Sequence, residues 1–525
     1  MRSVCVRLVA LCVILALAPW AGSVTVFGAP KGDLFTAAQR NQPTTLDPAI
    51  GSDAPSTKYL IAAYEPLVRN RFGTLDERHL EGVLATSWDI SSDGLRYTFH
   101  LRPGVKFHDG SQLDAESVKV SIERMKTINL GNAYVLSAVQ EVNAVSPLTV
   151  QITLSEPYAP FIQALTLVYI VSSTAVKEHQ VNGDLAQGWF RDHEAGSGPY
   201  RLDSWQLGQQ MQLSAFPDYW RGWSGNHAKT LILRLVAEPA TQRLLVQSGE
   251  VDWADSITTD DIIALRQDKA VREQRSPGLA VFYLMMNTKK PPLTDVRVRQ
   301  ALVAAFPYDQ MLKGVLHGLM SPANGYLAPG FPEHDHGAPA QFDLARARQL
   351  LGDAGYSKGG FTLTLVYFNP LDYESLGSQL FADQLQNLGI TLKLQGLPWA
   401  SLLQRKSDPD IAQEPDLVFY NVTPGFGSPD SILYPTFYSK STHWGHFNYA
   451  NPKVDAMLDQ ARRTLNASQR TALYVQIQRQ LRADTPGIPL MLWDIVNVYS
   501  ARVTHADVAS TSAFVIDYYT IQLGQ

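Results

Sequence analysis

Cysteine is nearly missing from this chain: of 525 residues only two are Cys, and both, Cys5 and Cys12, stand in the first charged and apolar stretch. A chain that loses that stretch keeps no thiol, which excludes disulfide bridges and cysteine catalysis. Basic runs are missing too, and the formal charge is -5. Without clustered Lys and Arg nothing neutralises a phosphate backbone, so nucleic acid is excluded as a partner. Past the N-terminus no apolar run approaches the ~20 residues that a spanning helix needs. There is no GxSxG elbow, no HExxH and no Walker loop, and GSGPY at 196–200 lacks the strand-to-helix context of a nucleophile turn. No pattern pairs two carboxylates at glycosidase distance. The enzyme class left open is a secreted hydrolase acting on peptides or glycosides, with a site assembled from distant residues.

What is present is an ordinary globular composition, 45% hydrophobic and 18% charged, over a length that exceeds one hydrophobic core. Two or more lobes are expected. The first residues, MRSVCVRLVALCVILALAPWAGS, place Arg2 and Arg7 before an apolar run from Leu8 to Ala18 and then small residues. This is the pattern of a secretory signal, too short for a membrane span and interrupted by Pro19. Ala21 and Ser23 fit the -3 and -1 positions of a cleavage site, giving Val24 as mature start; a cut near Ala29 is the alternative. Neither cysteine stands where a lipid-modified one belongs. A soluble periplasmic protein, not membrane-spanning after cleavage, is expected.

Along the chain, residues 32–65 read as extended and polar, with GSDAPST as a loop. Tyr97, Phe99 and Leu101 alternate as a strand, turns follow at Pro103-Gly104 and Asp109-Gly110, and a helix starts after Asp114. Beyond residue 278 the pattern becomes α/β. Leu279, Val281, Tyr283 and Met285 alternate as a strand ended by Asn287-Thr288 and Pro291-Pro292; a helix capped by Thr294 or Asp295 carries Val298, Leu302 and Ala305 on one face. Asp343 caps another helix that stops at Gly355. FTLTLVYF, a helix with Phe381, Leu385 and Leu388, and ITLKLQG form a right-handed βαβ unit, hence a parallel pair. The strand DLVFYNV follows, and the loop TPGFGSPD leaves its carboxyl end, where open α/β sheets bind ligands.

These pieces, in this order, resemble the family 5 extracellular solute-binding proteins, the dipeptide, oligopeptide and nickel receptors of ABC importers. The resemblance rests on Asn287, Thr288, Pro291, Pro292, Asp295, Val298, Arg299 and Ala301, and on LDP at 46–48, YEPLV at 64–68, DGLRYTFHLRPGVKFHDG, GSGPYRL, DYWRG, SGEVD, LLGDAGY, NPKVDAMLDQA and TPGIPLM. It implies a bilobed periplasmic-binding-protein-like fold, two α/β lobes with an extra α+β subdomain in the first. The implied divisions are a signal peptide at 1–23, the first lobe at 24–63 and 192–275 with the subdomain at 64–191, the second lobe at 276–487, and a return segment at 488–525. The implied function is capture of a peptide or peptide-like solute for an ABC importer permease, without chemistry or cofactor, by a monomer.

Candidate ligand contacts are Phe426 for an apolar face, Tyr420, Asn421 and Thr423 for hydrogen bonds, Asp430 for charge, Trp399 for stacking and Asp53 in a first-lobe loop. Each has a bland alternative: a surface turn for TPGFGSPD, a core position for Trp399, a solvated acid for Asp53. In peptide receptors of the family an aspartate in this loop pairs with the ligand's α-ammonium; Gly425 stands at the matching position. The pairs in EHDH, Glu333 to His336, and HWGH, His443 to His446, lack further ligands at metal spacing, so no metal site is expected.

Overall fold

Two long strands, Val271–Met286 and Gly487–Ser500, organise the computed structural model of this chain. They pair antiparallel from Val271↔Ser500 to Met285↔Gly487, with a register break between Ser276 and Ala280. The break is a bulge around Pro277-Gly278, and only glycine fits there: a Cβ on Gly278 would lie 1.4 Å from the carbonyl oxygen of Trp493. The structure describes residues 32–71, 79–369, 371–406, 408, 410–441, 446–508 and 516–524. The signal expected at 1–23 lies outside them, and the chain from Asp33 onward is one compact unit.

A sheet grows outward on both sides of this pair. On the Gly487–Ser500 side come Trp253–Ala254, Leu34–Gln39, Thr230–Leu235, Gln210–Ala215 and Tyr200–Gln206; on the other come Leu417–Val422, Thr362–Phe368 and Thr391–Leu397. Leu34–Gln39 runs parallel to both neighbours, and Thr362–Phe368 is parallel to Thr391–Leu397 and Leu417–Val422. The expected βαβ crossover is therefore present, with the helix Asp372–Gln386 between its strands.

Side chains alternate across this sheet. Phe282, Leu284 and Phe419 meet Leu302 and Phe381 on one face, while Tyr283, Val418 and Tyr420 meet Phe437, Leu458 and Tyr474 on the other. Phe35, Tyr59, Tyr200 and Trp253 form a further core with Val503, Ile516, Tyr518 and Ile521 from the chain's last strands, Val503–Val508 and Ile516–Leu523. Phe35 meets Tyr518 edge to face at 6.3 Å. A separate core, Phe99, Phe107, Val118, Ile152 and Phe161, lies under an antiparallel sheet ordered Ala85–Ile90, Arg96–Leu101, Thr149–Leu154, Val139–Ser146. It is tied to the rest by Asp47, whose two oxygens each accept from Arg124 at 2.6 Å; Asp47 is 0% and Arg124 2% exposed.

The Asn287-Thr288 turn is scaffold. Asn287 donates to Glu414 at 2.8 Å, Thr288 to the Asn448 carbonyl at 2.9 Å, and Arg299 to the Leu293 and Thr485 carbonyls. Asp295 caps the helix Val296–Ala305, and Asp343 caps Leu344–Asp353. One expectation is corrected. Residues 32–65 hold a buried strand, and GSDAPST runs into a helix, Ala54–Ala63, because Asp53 caps it, Pro55 suits its first turn, and Tyr59, Leu60, Ala62 and Ala63 supply a buried face.

Candidate functional site

Three strands end at one place. Arg40 follows Leu34–Gln39, Asp255 follows Trp253–Ala254, and Leu371 to Tyr373 come after Thr362–Phe368. All three leave by their carboxyl ends, where parallel sheets leave their crevice. There they enclose a cavity of about 320 Å³. One wall carries Arg40, Asn41, Lys58 and Asp255; the other carries Leu371, Tyr373 and Trp493, so both sides of the long strand pair contribute.

The aromatic wall is built from the second half of the sheet. Tyr373 and Trp493 lie 5.3 Å apart, Phe282 packs on Tyr373 at 5.9 Å, and Phe282 stacks on Phe419 at 5.4 Å. Asn421 is two residues beyond Phe419, on the same face, and opposite Phe282 in register. Its Oδ1 is buried and has no hydrogen-bond partner among the described residues. A buried acceptor left so asks for a donor from a ligand or water.

The cavity's charges are mostly paired off. Lys58 bonds to Asp255 Oδ2, while Asp255 Oδ1 accepts from the Arg40 main chain at 2.9 Å and from Gln242 at 3.2 Å. Asp494 accepts from Arg275 at 2.7 Å, Ser321 at 3.0 Å and the Gly278 N–H at 3.2 Å. Just behind the wall, burial pushes the Glu374 carboxyl up to about 8, against the opposing bond it accepts from the Phe368 N–H, so it is mostly protonated at neutral pH.

The residues singled out from sequence go to different places. Asp53 spends its carboxylate on the Ser56 N–H at 2.9 Å and on the Ser56 and Thr44 hydroxyls at 2.7 Å each, the work of a cap. Trp399 is 41% exposed and packs edge-on against Phe368 at the sheet end. Tyr420 points to the opposite face from Asn421, buried in the core with Tyr283 and Tyr474. Thr423 is half-buried beyond the strand end. Phe426 is 1% exposed and belongs to the core of Phe99 and Phe161, so in this structure it is an inter-element plug and offers no open cleft face.

Asp430 is buried beside it. It accepts from Tyr158 at 2.9 Å and lies 3.3 Å from Arg462, while the Ala159 N–H donates to the Arg462 carbonyl at 2.7 Å and Arg463 pairs with Glu156 at 3.0 Å. These contacts make a seam between residues 156–161 and two helices, Asp430–Phe437 and Pro452–Arg463. Tyr134 touches it too: a Cβ on Gly425 would lie 3.3 Å from its hydroxyl.

Among the described residues no group of three or more His, Cys, Asp or Glu is placed to hold a metal. His334 donates to the Leu327 carbonyl and His446 to the Thr436 carbonyl, whereas His443 lies outside the described residues. Sequence reasoning missed Arg40, Tyr373 and Trp493. Arg40 carries a local signal, a charge directly after an apolar strand; Tyr373 and Trp493 meet only through sheet pairing and carry none.

Comparison with known proteins gives a consistent result. The family described as bacterial extracellular solute-binding proteins, family 5 Middle, matches residues 79–444. A probable D,D-dipeptide-binding periplasmic protein, DdpA of Escherichia coli, is 32% identical over 460 residues, 86% of each chain. Glutathione-binding protein GsiB of Pectobacterium atrosepticum is 30% identical, covering 88% of this chain and 89% of its own. Among solved structures, periplasmic DppA of Helicobacter pylori with the peptide STSA superposes at a TM-score of 0.80, with 24% identity over 94% of this chain and 98% of its own. NikA of Brucella suis with Fe(III)-EDTA reaches 0.82 at 23% identity, over 93% and 99%. The fold is shared with both of these solved structures.

Proposed function

The chain belongs to the bacterial extracellular solute-binding proteins of family 5, and from that premise we propose that its cavity captures a short peptide or peptide-like solute and presents it to an ABC importer permease. The observation that carries the reading is the cavity itself. At about 320 Å³ it falls at the small end of the roughly 300–1,000 Å³ usual for small-molecule sites. It is walled from both sides of the strand pair, so closing the two halves desolvates whatever lies between them. Tyr373 with Trp493 adds apolar area at low entropy cost.

In this reading the lobes divide near 276 and 487, at the bulge and at the far end of the strand pair; the signal is removed, and the mature receptor works as a monomer in the periplasm. Ligand selectivity follows the wall residues, and the DdpA and GsiB names support a peptide-like solute. Mass spectrometry of what the purified protein releases on denaturation tests this. A peptide or peptide-like compound is expected at near one per chain. Turnover of that compound by pure protein, or a stoichiometric ligand with no amide, would overturn it.

A further inference from the structure

We propose that Arg40 selects the solute by pairing with a carboxylate held inside the interlobe cavity; the inference rests on the reading of that cavity as the solute site. Arg40 is half-buried in the wall, and its main-chain N–H is pinned by Asp255. Its guanidinium makes no hydrogen bond or ion pair with any described residue. Every other charge around the cavity is answered or faces water. Lys58 and Asp255 hold each other, Asp494 is held by Arg275, and Asp372 is exposed and accepts from the Tyr373 N–H at 2.8 Å. One positive charge is therefore left over beside an aromatic wall.

The guanidinium is also within electrostatic reach of that opposite wall. Burial, then Glu374 and Asp372, push the Tyr373 phenol up, and Arg40 pulls it the other way. A cation taken partly out of water without a partner is penalised, and a ligand anion removes the penalty when the halves close on it. A carboxylate suits the planar fork of guanidinium, which bonds it in two parallel contacts that an ammonium side chain cannot reproduce. No cavity carboxylate is left for an ammonium except exposed Asp372, so the site favours acids over amines. The solute class is a peptide-like acid, bound through its carboxylate at Arg40.

The test uses the full exported protein, stripped of endogenous solute by denaturation and refolding. Arg40→Gln and Arg40→Lys are compared with the parent by calorimetry, using the co-purified solute and its carboxyl-amidated form, or a panel of N-acetylated dipeptide acids and their amides if nothing co-purifies. The parent should prefer the acid. Arg40→Gln should bind the acid about 10- to 100-fold more weakly, Arg40→Lys should fall between, and the amides should bind parent and Arg40→Gln alike. That interaction of ligand form with variant does not arise from a general folding defect. Equal binding of acids and amides by the parent, an equal loss for both forms in Arg40→Gln, or no binding by any member at millimolar concentration overturns the proposal. A neutral solute that co-purifies and closes the protein would remove Arg40's role and leave the receptor reading standing.

Discussion

Replacing Phe426 by alanine separates two kinds of burial. The ring is 1% exposed and sits in the core of Phe99 and Phe161, yet it arrives there on a loop from the other half of the molecule. If the ring enters that core only when the halves close, truncation leaves the open protein intact and weakens closing. Losing a buried Phe side chain costs about 1.5–3 kcal/mol of transfer free energy, which at 1.4 kcal/mol per factor of ten is a loss of about 10- to 150-fold in the closing constant. Solute affinity should fall by the same factor, because only the closed form holds the ligand. The unfolding free energy of ligand-free protein in urea should hardly move. Calorimetry for affinity, urea titration for stability and small-angle scattering for the radius with and without solute are the assays. A loss of about 3–5 kcal/mol in ligand-free stability, the usual cost of a core Phe→Ala change, with unchanged affinity would refute the reasoning and make Phe426 a permanent core residue.

Asp47→Ala leaves the Arg124 guanidinium buried without its partner and should lower unfolding free energy by about 3–5 kcal/mol; a loss under about 1 kcal/mol by urea titration would count against the pair as a structural tie. For Asp430, burial outweighs the pull of Arg462 and Tyr158, and the carboxyl is raised from its usual range. The closed form therefore holds this proton more tightly than a solvated form does, so its stabilisation is full below the ordinary Asp value and is lost as pH rises through the raised one. Solute affinity should weaken through that window in the parent and be flatter in Asp430→Asn; the same slope in both would remove Asp430 as the cause.

Local signals were readable in the sequence and distant ones were not. Asp114, Asp295 and Asp343 cap the helices expected of them, and Leu363 and Leu365 point inward, because a cap and an alternating strand involve neighbours only. GSDAPST reads as a loop in a polar stretch, yet Pro55 stands in a helix's first turn, where proline is tolerated. Phe426 and Asp430 follow a strand's carboxyl end as expected, but whether such a loop faces a ligand or a neighbouring core depends on Tyr158, Phe161 and Arg462. Arg40, Tyr373 and Trp493 come together because the strands leading to them are joined through Gly487–Ser500, a relation that no window of sequence contains.

The last strands bear on time as well as shape. Tyr518 lies against Phe35 and accepts from Gln39, its main-chain carbonyl receives the Tyr200 hydroxyl, and Arg502 bonds to the Leu34 carbonyl and to Asp252. The core that Leu34–Gln39 opens is thus completed by residues as far as 479 positions further along the sequence. A ribosome delivers the N-terminus first, and contacts so far apart in sequence form late. Residues 84–170 supply most of a core of their own, while Leu34–Gln39 waits for strands near the other end of the sequence. A nascent chain stopped short of Tyr518 keeps its first strand unsealed.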